Sequence, residues 1–187
     1  MATTNNFWTN APANDPKRAY RFRVQFAGTG ADYRWYAKKA TKPTFTMTES
    51  SHQYLNHTYY WPAKTEWNEV DITFVDPVDP DFATELVDLL EAAGYQIPAG
   101  IDQTAGHFNT PSKKSFVENT GAIIVEQINE EGEILEQWQL NNAWVKEVTF
   151  GDLDYGSEDL TEITVKFRYD WASFGGVGSS GADKFKR

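Results

Sequence analysis

Cysteine is absent from the 187 residues, which excludes disulfides and thiolate metal sites outright. No apolar run approaches the ~20 residues that a membrane-spanning helix needs, in keeping with a mean hydropathy of -0.59. The start, Met-Ala-Thr-Thr-Asn-Asn-Phe-Trp-Thr, has neither a basic n-region nor an apolar h-region. No secretory signal is therefore expected, and a reducing cytoplasm is the expected compartment. Cations are scarce: 17 Lys and Arg stand against 27 Asp and Glu, a net charge of -10. Proteins that grip nucleic acid draw most of their affinity from Lys and Arg on phosphates, so this balance argues against holding DNA or RNA. The length fits one globular domain with a core of its own.

Aromatic residues are abundant, with 7 Trp, 9 Tyr and 12 Phe making up 15% of the chain. On a wet surface they would stack on sugars or bases; at alternate strand positions they are core or subunit interface. The sequence places many of them at alternate positions. Ile163, Val165, Phe167, Tyr169 and Trp171 alternate with Thr164, Lys166, Arg168 and Asp170, the period of a half-buried strand. The same pattern predicts a first strand over 19–26 and an inner strand over 66–75 with Val70, Ile72 and Phe74 inward. A second strand is predicted over 33–39, ending before Pro43.

Residues 44–61 alternate weakly and carry polar and aromatic side chains, which predicts a projecting hairpin with its turn near Glu49-Ser-Ser51. Asp76-Pro-Val-Asp-Pro80 breaks the sheet, and Asp79 or Asp81 is placed to cap a helix. That helix carries Phe82, Leu86, Leu89, Leu90 and Ala93 on one stripe and closes at Gly94. Residues 95–117 show no period, and a loop beyond ~12–15 residues inside a domain is usually functional or disordered. A hairpin is predicted over 120–128 and 133–140 around Asn129-Glu-Glu-Gly132, followed by strands over 143–150 and 161–171. The chain thus divides into an arm (1–18), one domain (19–172) and a Gly/Ser-rich tail (173–187).

Signals for chemistry are weak. Gly176-Val-Gly-Ser-Ser-Gly181 matches a dinucleotide fingerprint in letters but lacks the strand and helix that give it meaning. His52 and His57, five apart on an extended strand, are read as facing opposite sides, so no metal site is expected. The acidic run from Glu126 to Glu136 reads as a solvated hairpin, too open for burial to shift its carboxyls. No nucleophile elbow, P-loop or zinc spacing is present, so no enzyme and no cofactor are expected.

Several segments together resemble the tail tube proteins of contractile-tailed bacteriophages, across residues 15–172. They are Ala19 to Phe26, Lys39-Ala-Thr-Lys-Pro43, Trp67 to Asp76, Trp144-x-x-x-Val148, Leu153-Asp-Tyr155 and Phe167-Arg-Tyr-Asp-Trp171. One departure is Trp144-Val145, where many members have an aromatic-Pro pair. The resemblance implies a mainly β protomer, two packed antiparallel sheets with one flanking α-helix. It implies homo-hexameric rings stacked into a tube inside a contractile sheath. The implied partners are sheath, baseplate, tape measure and tail terminator proteins, with DNA passing unbound and no membrane. The implied location is the virion tail, assembled in the host cytoplasm.

Within that frame Glu69, Asp71, Thr73, Gln137 and Gln139 are expected to line the lumen, because their neighbours face the core. Tyr54, Asn56, Tyr59, Tyr60, Trp61, His107 and Phe108 are expected at ring-stacking and subunit contacts. The alternatives are the inner tube of a type VI or pyocin-like machine, a tube-like baseplate or terminator protein, and, more remotely, a β-sandwich carbohydrate-binding module.

Overall fold

A computed structural model describes residues 16–26, 36–79, 81–95 and 110–176. Where apolar and polar residues alternate, strands form as the period requires. In chain order they are β1 (Phe22–Phe26), β2 (Ala37–Ala40), β3 (Phe45–Tyr54), β4 (His57–Trp67) and β5 (Val70–Val75). After helices α1 (Phe82–Ala92) and α2 (Lys113–Thr120) come β6 (Ile123–Ile128), β7 (Ile134–Asn141), β8 (Trp144–Thr149), β9 (Glu162–Arg168) and β10 (Trp171–Gly176). Sheet I has the order β1-β6-β7-β10 and sheet II the order β2-β5-β9-β8, while β3 and β4 form a separate hairpin. Every pairing among them is antiparallel.

The two sheets share one core. Val24, Ile123, Val125, Leu140 and Ala172 from sheet I meet Val70, Ile72, Phe74, Ile163, Val165 and Phe167 from sheet II. Phe26 bridges the layers, its ring 5.8 Å from both Phe74 and Phe167. Helix α1 covers part of this core with Phe82, whose ring lies 4.6 Å from Phe74. Asp81 starts the helix by accepting from the backbone N–H groups of Ala83 and Thr84. Gly94, at φ +106°, takes the left-handed conformation that closes it. The expected fold class, start cap and helix end all match.

Five expectations change. The inner strand read over 66–75 starts only at Val70, because Glu66 and Trp67 end β4. The long strand ending at Trp171 is two strands in different sheets. The chain crosses from sheet II to sheet I at Tyr169-Asp170, where Asp170 N–H donates to the Asn141 carbonyl at 3.1 Å. Trp171 is therefore exposed instead of continuing the buried row. Residues 173–176, read as the start of the tail, belong to β10, which pairs with β7. The stretch read as an unstructured loop contains a second helix, α2, capped by Ser112, so two helices flank the sheets instead of one. The projecting hairpin turns at Leu55-Asn56 and not near Glu49-Ser51, with Leu55 at φ +52°. Of the second strand only β2 falls within the described residues, and residues 33–35 lie outside them.

Candidate assembly surfaces

Three surfaces follow from this arrangement: the outer face of each sheet and the hairpin. On β5 the side chains of Asp71 and Thr73 point away from the core, opposite Lys166 and Thr164 of β9. Glu69 joins them just before the strand. This outer face of sheet II is a ladder of ion pairs. Lys146 and Arg168 both reach Glu69, Lys166 Nζ donates to Glu147 at 2.8 Å, and Lys38 pairs with Glu162. The Lys146 hydrogen bond holds the Glu69 carboxyl below its ordinary range, and Glu147 holds the Lys166 ammonium above its own. Thr73 and Thr164 share a hydroxyl hydrogen bond of 3.1 Å between the pairs.

Gln137 and Gln139 belong to the outer face of sheet I, not to that ladder. They lie in register with Glu126 and Ile124 of β6 and with Gly175 and Ser173 of β10. The Gln25 and Gln137 amides donate to Glu126 at 3.0 and 3.3 Å, Arg23 pairs with it, and Asn141 donates to Ser173 Oγ at 2.8 Å. Because the two sheets pack core to core, their outer faces point in opposite directions. The five residues expected together on a lumen therefore form two surfaces, Glu69, Asp71 and Thr73 on one and Gln137 and Gln139 on the other.

The two ends of the acidic run at 126–136 differ from their expected solvated state, whereas Glu130, Glu131 and Glu133 in the turn are exposed as expected. Glu126 is only 3% and Glu136 only 7% exposed. Burial pushes the Glu136 carboxyl up, but hydrogen bonds from Lys17, Lys42 and Trp138 outweigh that and hold it at about 2. A general acid needs the opposite shift, so this carboxylate is a structural anchor. Composition could not reveal this. The signal available was alternation, which puts Glu136 on the inner side with Trp138 and Leu140.

The hairpin presents its side chains to solvent along most of its length, all of β3 being exposed, while Trp67 at its base packs on the core. Register brings His52, Tyr54, His57, Tyr59 and Trp61 onto one face, with Tyr60 on the other. The His57 and Tyr59 rings lie 4.7 Å apart, Tyr59 and Trp61 6.1 Å, and His52 and Trp61 6.5 Å. The two histidines, read as facing opposite sides, share a face because the two-residue turn falls between them. Among the described residues no group of three or more ligating side chains converges. Tyr54, Asn56, Tyr59, Tyr60 and Trp61 are all exposed on this hairpin. His107 and Phe108 lie outside the described residues.

No protein-family model matches the sequence, and no curated protein matches it. Solved structures do match. The chain is similar to one in the PVC sheath/tube terminator of an extracellular contractile injection system, at 16% identity and a TM-score of 0.65, covering 88% of this chain and 99% of that one. It is similar to a chain of the anti-feeding prophage baseplate, 6-fold symmetrised, at 14% identity and a TM-score of 0.62, covering 88% and 98%. A chain of the PVC sheath-tube complex in its extended state aligns at 16% identity and a TM-score of 0.60, covering 95% and 100%. At such identity the likeness is one of fold, and it spans nearly the whole of both partners. The fold is the one these chains share.

Proposed function

We propose that this chain is a structural subunit of the tube of a contractile injection apparatus, in which six copies close into a ring and rings stack into a hollow conduit within a sheath. The observation that carries this reading is the hairpin β3–β4, a long two-stranded arm with exposed aromatic side chains and no core of its own. An isolated hairpin is marginal in water, so such an arm has its use against another chain. The likeness to chains of tube, terminator and baseplate assemblies over almost their full length supports the same reading.

Sheet II is the wall of the bore in this proposal. Its strands β2 and β5 run directly into β3 and β4, so the hairpin extends the same wall toward the next ring. Glu69, Asp71 and Thr73 then face the lumen, while Gln137 and Gln139 face away from it. Six copies of a four-stranded sheet make roughly 24 strands, which at ~4.8 Å each give a circumference near 115 Å and a backbone diameter of about 37 Å. A DNA duplex ~20 Å across passes through such a bore. Closure also removes the free strand edges that invite aggregation. Lys38, Lys146, Lys166 and Arg168 of the wall are each engaged by a carboxylate. Lys39, in register with Thr73, is a further cation on this face. The wall is charge-neutralised more than acidic, and phosphates sliding past meet few free cations able to displace their counterions.

The partners in this reading are sheath, baseplate, tape measure and tail terminator proteins, and the location is a virion tail assembled in the host cytoplasm. A second reading, an end piece at the terminator or baseplate, is supported by TM-scores as high for those chains as for the sheath-tube chain. Negative-stain microscopy of the purified protein separates the readings. Long hollow tubes indicate the repeating subunit, and single rings or short stacks an end piece. A monomer at all concentrations, with a melting temperature raised by oligosaccharide, would favour a carbohydrate-binding module and overturn both.

A further inference from the structure

The loop that joins β8 to β9 presents apolar side chains that no described residue covers: Tyr155 is 112% exposed, Leu153 87% and Leu160 70%. Its shape is fixed locally. Gly156 N–H donates to Asp154 Oδ1 at 2.9 Å, and Asp159 N–H to Ser157 Oγ at 3.1 Å. Gly151 takes φ +77°, where an added Cβ would lie 2.7 Å from the Glu162 carbonyl oxygen, so the loop starts tightly against β9. It curls round an open hollow of about 590 Å³, lined by Leu153, Tyr155 and Leu160 together with Asp152, Asp154 and Asp159. At its base Lys38 answers Glu162 and Asp159. Asp152, Asp154 and Glu158 have no ion-pair partner among the described residues. An apolar hollow with three unanswered carboxylates suits a basic occupant with an apolar side chain.

The same sequence contains such a segment. Residues 177–187, Val-Gly-Ser-Ser-Gly-Ala-Asp-Lys-Phe-Lys-Arg, lie outside the described residues and set Phe185 among Lys184, Lys186 and Arg187. Of the stretches outside the described residues, this is the one with an excess of cations. Residues 1–15 and 96–109 carry one carboxylate each and no Lys or Arg, and in 27–35 Asp32 offsets Arg34. Most described cations are already held by carboxylates of their own chain. The segment also leaves the fold far from its own hollow. Gly176 is in register with Glu136, which Lys42 reaches from beyond the Ala40 end of β2. The loop hangs from the opposite end of sheet II, past Val75 and Glu162. Head-to-tail stacking brings the exit of one copy towards the loop of the next. The nine residues from 177 to 185 span up to ~30 Å.

We propose that residues 182–187 of one copy dock in the hollow of the 151–160 loop of a second copy, Phe185 seated against Leu153 and Leu160 while Lys184, Lys186 and Arg187 face Asp152, Asp154 and Glu158. The inference deepens the tube reading and rests on it for the head-to-tail partner. Docking hides apolar surface that a lone protomer leaves in water, and the opposed charges fix its register. A cation over the exposed Tyr155 ring adds a further attraction.

The absence of cysteine makes the test clean. Leu153→Cys and Phe185→Cys proteins are prepared separately, mixed and oxidised. The expected result is a disulfide-linked pair in the mixture and little from either protein alone. Adding Lys184→Glu and Lys186→Glu to the second protein should lower that yield about tenfold, and adding Asp152→Lys and Glu158→Lys to the first should restore it. All the substituted loop positions are exposed, so the protomer is expected to melt as the wild type does. Cross-linking that ignores these charges overturns the proposal, as does either protein linking to itself as readily. Rings or tubes formed without the cross-link overturn this contact and leave the tube reading standing. Cross-linking without rings or tubes supports the contact and counts against the tube, and a mixture that stays monomeric and unlinked overturns both. A protein carrying both cysteines that closes an internal disulfide, with no linked pair in the mixture, places the segment on its own loop and likewise refutes docking between copies.

Discussion

Glu136→Gln is the substitution whose effect the structure constrains most closely. The carboxylate accepts from Lys17 Nζ at 2.5 Å and from Lys42 Nζ and Trp138 Nε1 at 2.7 Å each. It thereby ties the segment before β1 and the segment between β2 and β3 to the middle of sheet I. Its proton affinity falls from an ordinary value of 4.5 to about 2 in the folded protein. Each tenfold change in proton affinity corresponds to about 1.4 kcal/mol, so the full drop corresponds to roughly 3 kcal/mol. Both lysines are about half exposed, and solvent screening lowers the expectation to ~2 kcal/mol. Because the folded value lies below the unfolded one, this contribution is complete above about pH 4.5 and is lost as pH falls towards 2. The assay is urea unfolding of wild type and Glu136→Gln in parallel, from pH 7 down to pH 2.5, followed by tryptophan fluorescence. The variant should be ~2 kcal/mol less stable at neutral pH, with the gap closing in acid. A gap that stays constant across that range would refute the assignment of Glu136 as a charged anchor.

Three further outcomes follow from the packing and the surfaces. Phe74→Ala removes a fully buried ring in contact with Phe26 and Phe82 and should cost about 3–5 kcal/mol in denaturant unfolding; a loss below ~1.5 kcal/mol contradicts the shared core. Gly151→Ala combines positive φ with a 2.7 Å approach to the Glu162 carbonyl oxygen, and should lower stability by roughly 1–3 kcal/mol, read as a shift in melting temperature. Replacing Tyr59, Tyr60 and Trp61 together with Ser should leave the protomer's melting temperature in place, since all three are exposed, while tubes disappear from micrographs; normal tubes would remove the hairpin from the stacking contact.

Local pattern carried much of the architecture. The buried row Val70, Ile72, Phe74 and the row Ile163, Val165, Phe167, Tyr169 are visible as alternation, because one side of each strand faces a core and the other faces water. Asp81 and Gly94 mark the ends of α1 through the chemistry of unpaired backbone groups. Helix α2 was less legible, since only Phe116 and Thr120 are buried and its polar surface mimics a loop. Its available signal was Pro111-Ser112 before a run free of Gly and Pro. The hairpin turn was hidden because Leu55 occupies a left-handed conformation that ordinarily calls for Gly or Asn.

The amino-acid order by itself determined which residues are inward along β5 and β9, where α1 begins and ends, and that no thiol chemistry is available. These are matters of nearest neighbours, set by side-chain alternation and backbone caps. Only the tertiary structure decided which sheet each strand joins, and the switch at Tyr169-Asp170 shows why: pairing partners are chosen by distant strands, β5 for Ile163 and β7 for Ala172. That choice separates Gln137 and Gln139 from Asp71 and Thr73, buries Glu136 between two lysines, and sets His52 beside His57. Each depends on residues far apart in the chain meeting across a sheet, which no local period encodes.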